Sequence, residues 1–346
     1  MERQSQIRTW LAALWPGRSF TLAPASADAS FRRYFRATLD DGTTHIIMDA
    51  PPANEDCGPW LHVQQVFQAA GAHVPEVLAQ GLARGFLLLS DLGSTTYLQA
   101  LDAANAAPLY ADAIAALVKI QQASRPGVLP AYDRALLRRE LDLFPQWFLA
   151  EHHRIVLADS ERQSLEAAFE RIIKANLAAP KVFVHRDYHS RNLMRITQAG
   201  AVNPGIIDFQ DAVYGPISYD MVSLLKDAYI EWDEDLALDW LIRYWERARK
   251  AGLPVAADFA EFFRDYEWMG VQRHLKVLGI FARLCHRDGK QAYLKDLPLV
   301  ARYLRKACER YSELAPLRKL LDRVEDKVTV LGHTMNADDL GSRGVS

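Results

Sequence analysis

His185-Arg186-Asp187-Tyr188-His189-Ser190-Arg191-Asn192, followed by Ile206-Ile207-Asp208-Phe209, is the stretch on which the reading of this chain turns. It can bring two carboxylates and an amide to one phosphate-bearing site. Phosphoryl transfer asks little covalent chemistry of a protein, but it needs an oriented acceptor hydroxyl and a metal to neutralise phosphate charge. Asp187 stands two residues after His185 and Asn192 five after Asp187, the spacing of a kinase catalytic loop. Asp208, behind Ile206 and Ile207, matches a metal-binding aspartate at a strand end. The first pattern alone arises by chance in roughly one chain per hundred of this length on average composition, so the second segment decides. Residues 181–184 read as a strand entering the loop, 193–197 as one leaving it and 205–208 as another, with turn residues at 198–204. The structural alternative makes Asp187 a turn residue, Asn192 a cap and Asp208 a helix start, which leaves the joint spacing to coincidence.

Working outward, 346 residues of which half are apolar can bury a large core and suit two lobes better than one. Upstream, residues 7–14 read as a helix, and 20–22, 33–39 and 44–49 as strands around the turn Asp40-Asp41-Gly42. Residues 60–70 read as a helix ended by Gly71, and 77–79 with 86–89 as further strands. This predicts a small antiparallel-sheet N-lobe over residues 1–90. Beyond Ser90-Asp91-Leu92-Gly93 the pattern turns helical, at 110–123, 136–150, 161–176, 219–229, 236–251, 257–281 and 298–311. The expected fold class is therefore α+β and bilobal, with a helical C-lobe over 91–335 that holds the catalytic hairpins. The polar, small-residue segment 336–346 reads as a frayed tail.

The formal net charge of −2 supplies no field for nucleic acid, and no basic run interleaved with aromatics supplies a local one. Cys57, Cys285 and Cys308 are odd in number and lack paired metal spacing, which speaks against a disulfide framework or a zinc cluster. No stretch of eighteen uncharged apolar residues appears, and Met1-Glu2-Arg3-Gln4 does not open a signal peptide. The expectation is a cytoplasmic protein with a small-molecule substrate and no nucleic-acid or membrane partner.

Residues 185–224 resemble the aminoglycoside phosphotransferase branch of the kinase-like fold, through the tail Asp208-Phe209-Gln210-Asp211-Ala212-Val213-Tyr214-Gly215-Pro216-Ile217-Ser218-Tyr219-Asp220. More narrowly, residues 184–194 and 208–230, Met48-Asp49-Ala50-Pro51-Pro52 and Gln272-Arg273-His274-Leu275-Lys276-Val277-Leu278-Gly279 resemble the bacterial cell-wall-recycling anomeric sugar kinases. The resemblance spans roughly residues 20–310. It implies ATP-dependent phosphorylation of N-acetylmuramate or N-acetylglucosamine at the anomeric hydroxyl, in peptidoglycan recycling. It also implies that Asp220 is a buried anchor for the catalytic-loop backbone.

Particular side chains then acquire expected roles. Asp187 accepts the proton of the acceptor hydroxyl as the O–P bond forms. Asn192 and Asp208 offer hard oxygens to Mg²⁺. His185 organises the loop; Asp211 either caps the following turn or approaches a second metal or the substrate; and Arg186, His189 and Arg191 either add positive charge beside the phosphates or are plain exposed-loop residues. ATP is expected under the N-lobe sheet, its adenine edge bonded to backbone near Leu89, Ser90 and Asp91. Residues 24–33 lack the glycines of a phosphate-covering loop, and Ile46-Ile47-Met48-Asp49 carries no lysine where protein kinases have one. Phosphate contacts are therefore assigned to the hydroxyls of Ser26 and Ser30 and to a cationic fork from Arg33.

For the substrate, residues 271–287 form a helix on which Arg273, Lys276, Arg283 and Arg287 fall within an arc of roughly 80° at about 100° per residue. Cations on a mostly buried helix need anionic partners, either protein carboxylates or a substrate carboxylate. A lactyl carboxylate would be attracted and a polycationic aminoglycoside repelled. Arg273, His274 and Lys276 are the candidate substrate contacts. Two alternatives stay open: a kinase of the same fold for another alcohol (aminoglycoside, choline or homoserine), and a catalytically silent nucleotide-binding protein. Choline would call for an aromatic cage, whereas the spacing of Trp147, Trp232, Trp245 and Trp268 reads as helix core.

Overall fold

The structure is a computed structural model that describes residues 2–27, 31–198 and 200–326. The segment 336–346, read as a tail, lies outside those residues. In chain order the elements are α1 (Glu2–Leu14), β1 (Phe20–Ala27), β2 (Arg33–Leu39), β3 (Thr44–Asp49), α2 (Cys57–Ala69), β4 (Val77–Gly81) and β5 (Phe86–Ser90). There follow α3 (Tyr97–Ala100), α4 (Ala106–Gln122), α5 (Arg134–Leu141), a π-helical segment (Phe144–His152), α6 (Asp159–Ala178), β6 (Lys181–Val184), β7 (Leu193–Met194), β8 (Gly205–Ile206) and β9 (Val213–Pro216). The last helices are α7 (Tyr219–Leu225), α8 (Glu234–Lys250), α9 (Phe259–His286) and α10 (Leu297–Arg310). Among the described residues no helix is long and apolar enough to cross a membrane.

The chain divides into two compact units, the first of residues 1–123 and 185–212, the second of 124–184 and 213–346. The first is larger than the lobe expected over 1–90. Backbone bonds explain why the segment 185–212 belongs with the first unit: Leu98 N–H donates to Ser190 O at 2.9 Å, Arg195 N–H to Thr95 O at 2.8 Å and Ile206 N–H to His73 O at 2.8 Å.

The sheet of the first unit is antiparallel throughout, in the order β1-β2-β3-β5-β4. Arg33 faces Asp49 across β2 and β3, Tyr34 faces Met48 and Arg36 faces Ile46. Because side chains alternate along a strand, β2 separates Phe35 and Ala37 from Tyr34 and Arg36. Phe35 and Ala37 join Ile47, Phe86 and Leu88 in a core closed by Ile7 and Leu11 of α1. Burying each large apolar side chain of this kind contributes roughly 1.5–3 kcal/mol. The other face is left for the site.

The second unit is mainly helical, around α9, whose residues from Tyr266 to Gly279 are buried without a break. Its two strands pair antiparallel, Lys181 opposite Pro216 and Val184 opposite Val213. Four elements depart from the sequence reading. The helix expected over 136–150 stops at Leu141 and resumes as the π-helical segment, which has Pro145 near its start. Proline lacks the N–H that an uninterrupted α-ladder needs and clashes with the preceding turn. The strand β9 is absent from the expected elements, because Gly215 and Pro216 are poor strand formers and its partner lies some thirty residues earlier. Strands β7 and β8 also end short of residues 197 and 208.

Candidate active site

Two hydrogen-bonded strands, β7 and β8, set the spacing of the site in the first unit. Leu193 pairs with Ile206 and Met194 with Gly205. Asn192 thus enters the ladder just as Asp208 leaves it, and Ile207 N–H donates to Asn192 O at 3.1 Å. The amide Nδ2 of Asn192 donates to the carbonyl of Asp187 at 3.0 Å and to Oδ2 of Asp208 at 3.3 Å. Its donors are thereby turned toward the loop, and Oδ1 is the atom of that side chain that could serve a metal. Asp208 has φ 63° and Arg186 φ 77°. The left-handed region is uncommon for residues with a Cβ, though aspartate tolerates it best. Such strain, of order 1–3 kcal/mol, persists where surrounding structure holds it. Here the ladder and Gln210 hold it: Gln210 Nε2 donates to Asp208 Oδ1 at 2.8 Å.

His185 is fully buried and works on the loop backbone. Its Nε2 lies 3.0 Å from Ile207 O, and Asp187 N–H donates to Nδ1 at 3.3 Å. A carbonyl only accepts and an amide N–H only donates, so these partners assign the proton to Nε2. The ring packs between Phe67 and Tyr188, and Tyr188 donates its hydroxyl to Ala113 O of α4 at 2.8 Å.

Beside this loop lies a cavity of about 450 Å³, lined entirely from the first unit. Ile46, Leu89, Met194 and Ile207 give it apolar walls that suit a planar base. Asn192, Asp208 and Arg191 give it a polar part, and Leu89, Ser90 and Asp91 form an edge. Among the described residues no group of three or more His, Cys, Asp or Glu is arranged to hold a metal. The donor set present is one amide oxygen and one carboxylate, which fits a Mg²⁺ completed by phosphate oxygens and water, not a cage made of protein alone.

Other expected residues fall elsewhere. Arg33 projects from the face of β2 that carries Phe35, away from the one that carries Tyr34 and Arg36. There its Nη2 lies 2.6 Å from Oδ2 of the fully buried Asp49, which also pairs with Arg3 of α1. Arg3 lies over the ring of Phe86 and donates to Arg84 O at 2.8 Å. Asp91 does reach the cavity edge, but as a side chain bound to Arg36, with Nε–Oδ2 2.6 Å and Nη2–Oδ1 3.0 Å. Burial pushes the Asp91 carboxyl up, and the bonds from Arg36, Thr44 and the Gly93 N–H outweigh it, so its pKa lies below the usual value. Ser30 and the side chain of Ser26 lie outside the described residues.

In the second unit Lys276 and Arg273 are buried about Tyr219. Lys276 Nζ is 3.0 Å from the Tyr219 hydroxyl and 3.3 Å from Oε1 of Glu140. Glu140 also accepts from Gln272 Nε2 at 2.7 Å and from the hydroxyl of Tyr132. Arg273 stands over the Tyr219 ring at 5.5 Å. This network joins α5, α7 and α9, so a protein carboxylate meets the charge of Lys276. His274 stacks on Tyr303 at 5.3 Å. Burial, then Lys226 and Arg273, drive its pKa well below the usual value, and it stays neutral. Arg287 pairs with Asp288. Sequence reasoning missed Gln210, Arg36 and Trp60. Arg36 was detectable as the residue two beyond Tyr34 on one strand face, whereas the roles of Trp60 and Gln210 depend on contacts with Phe209 and Asp208.

A model of the phosphotransferase enzyme family matches residues 21–253. The chain belongs to this family. It is 50% identical over 340 residues to the N-acetylmuramate/N-acetylglucosamine kinase of Neisseria meningitidis serogroup B, an alignment covering 96% of this chain and 100% of that one. The kinase of the same name from Pseudomonas aeruginosa is 50% identical over 300 residues, 87% of each chain. Among solved structures, a choline/ethanolamine kinase family protein from Mesorhizobium loti superposes with TM-score 0.62 at 16% identity, covering 92% of this phosphotransferase and 99% of that chain. An ADP-bound aminoglycoside phosphotransferase gives 0.57 at 14% identity, covering 85% and 96%. At those identities the likeness is one of fold: the α+β, kinase-like arrangement of an antiparallel sheet and a helical part is common to all three.

Proposed function

We propose that this phosphotransferase moves the γ-phosphoryl group of ATP to the anomeric hydroxyl of N-acetylmuramate or N-acetylglucosamine. One observation carries the choice of substrate: half of the 340 aligned residues, which make up 96% of this chain, are identical in a kinase named for these two sugars. The chemistry rests on the convergence of Asn192 and Asp208 beside Asp187. Resemblance of fold alone would not choose between sugars, aminoglycosides and choline.

In the proposed mechanism Asp187 accepts a hydrogen bond from the anomeric hydroxyl and takes its proton as the new O–P bond forms. The bond from the γ-phosphorus to the bridging oxygen breaks, and ADP leaves with that electron pair. A bound Mg²⁺ would neutralise phosphate charge. Asn192 Oδ1 and the Asp208 carboxylate would hold it, and Gln210 keeps that carboxylate in one rotamer through its 2.8 Å bond. The loop backbone is already fixed by His185, so little reorganisation is needed on the way to the transition state. Leu89 and Asp91 supply backbone to the adenine edge. The case for Arg33 as a phosphate contact is weakened by its pairing with Asp49. The case for Arg273 and Lys276 as carboxylate receptors is likewise weakened by Glu140 and Tyr219.

The test is incubation with ATP, Mg²⁺ and a panel of amino sugars, with phosphorus NMR to locate the new ester. A sugar 1-phosphate is the expected product. Phosphorylation of sugars blocked at the reducing end would refute the anomeric assignment, and turnover of an aminoglycoside or choline alone would refute the substrate class.

A further inference from the structure

We propose that Arg191, on the catalytic loop, is the cation that meets the nucleotide's phosphates, in place of the strand lysine that other kinases use. The inference rests on the nucleotide reading of the cavity and adds to it a residue for binding and specificity.

The usual device is missing on both sides. In the kinase pattern a lysine on the third strand reaches the phosphates and pairs with a glutamate on the next helix. Here Ile46 lines the cavity. Met48, two residues on and therefore on the same face of β3, is fully buried. Asp49, on the opposite face, is bound to Arg3 and Arg33. The helix that follows, α2, carries no acidic residue. It offers Trp60 to the cavity instead, with its ring 5.0 Å from that of Phe209. Ile46 and Met48 on β3 and Trp60 on α2 are thus apolar where the kinase pattern has its lysine and glutamate.

A triphosphate in this cavity still needs positive charge, and the cations that line it among the described residues are Arg36 and Arg191. Arg36 bonds both oxygens of Asp91 and, at 2.8 Å, Gly93 O, which places it at the base-binding edge. Arg191 precedes Asn192 directly, and it lines the cavity together with Asn192 and Asp208. Its backbone is fixed by flanking bonds, Leu98 N–H to Ser190 O at 2.9 Å and Asn192 N–H to His189 O at 2.9 Å. A guanidinium presented from a fixed loop offers two parallel donors to phosphate oxygens and keeps its charge at any working pH.

The test measures binding of adenosine, AMP, ADP and ATP by calorimetry, without sugar. Affinity in the unaltered protein should rise with each phosphate. Arg191→Met should keep adenosine affinity within about twofold and weaken ATP by roughly ten- to a hundredfold, the range for a lost hydrogen bond to a charged group. Arg191→Lys should recover part of the loss, because it restores charge without the fork. Arg36→Met should weaken adenosine and ATP alike and leave their ratio unchanged. Retained adenosine binding reports that a variant is folded; if the methionine variant fails that check, Arg191→Lys is read by the same ratio. An ATP-to-adenosine ratio unchanged by either Arg191 variant would overturn the proposal while leaving the sugar-kinase reading intact. A ratio near one in the unaltered protein would overturn it together with the nucleotide reading.

Discussion

Asn192 donates one amide to both Asp187 and Asp208, at 3.0 Å to the carbonyl of the first and 3.3 Å to the carboxylate of the second. The proposed base and a proposed metal ligand are thereby tied through a single side chain. Asn192→Leu removes the oxygen proposed to coordinate Mg²⁺ and one donor from each acceptor; Asp187 O keeps the His189 N–H at 3.0 Å and Asp208 keeps Gln210, so the lost bonds cost about 1 kcal/mol. The expected outcome is a loss of phosphoryl transfer of at least about a hundredfold with a lower melting temperature. A variant with near-normal turnover would separate Asn192 from the chemistry.

Asp187→Asn should behave differently. It keeps the shape and the backbone carbonyl that Asn192 uses, but it cannot take a proton. Loss of a general base costs on the order of a hundred- to ten-thousandfold in rate, while ATP binding by calorimetry should be unchanged. Full activity in this variant would move the base elsewhere.

Gln210 donates to Asp208 at 2.8 Å, while its own Oε1 is buried with no hydrogen-bond partner in the described structure. Replacing it by leucine loses one bond and removes one unsatisfied acceptor, so stability should change by less than about 1 kcal/mol. The freed Asp208 carboxylate should need more metal. Gln210→Leu is expected to raise the half-saturating Mg²⁺ concentration several-fold with an unchanged melting temperature. If Mg²⁺ dependence is unaltered, the Gln210 bond is incidental.

The spacing within 185–208 sufficed to predict that Asn192 and Asp208 meet, because two short strands and a tight loop leave little freedom between them. Strands β2, β3 and β6 were equally legible, since alternation and turn residues are local signals. Arg33 was not, because its facing depends on Asp49 in the neighbouring strand and Arg3 in α1. The buried cations of α9 were visible as a stripe, but their partner Glu140 lies more than 130 residues away in sequence. No helical periodicity identifies such a partner. The π-helical segment escaped because one proline changes the hydrogen-bond pattern without erasing the apolar pattern around it.

That facing makes a separate prediction. Arg33→Ala should lower the melting temperature by a few degrees, since Asp49 keeps Arg3 and Arg33 is itself half exposed. The apparent requirement for ATP should not change. A raised requirement would return Arg33 to the phosphates.

His274 is buried against Tyr303, and burial with the nearby Lys226 and Arg273 charges holds its pKa well below the ordinary value of 6.5. Unfolding releases the ring to ordinary solvation, so just below pH 6.5 the unfolded chain binds a proton that the folded one does not. Stability linked to this group is therefore complete above pH 6.5 and is lost progressively as pH falls toward the lower folded value. Phenylalanine preserves the stack on Tyr303 and cannot titrate. His274→Phe should match the unaltered protein within about 1 kcal/mol at pH 8, and denaturant unfolding between pH 7 and 5 should show a flatter decline. Parallel declines in the two proteins would assign the acid sensitivity to other groups. A selective loss of N-acetylmuramate turnover in this variant would instead restore His274 to the substrate contacts.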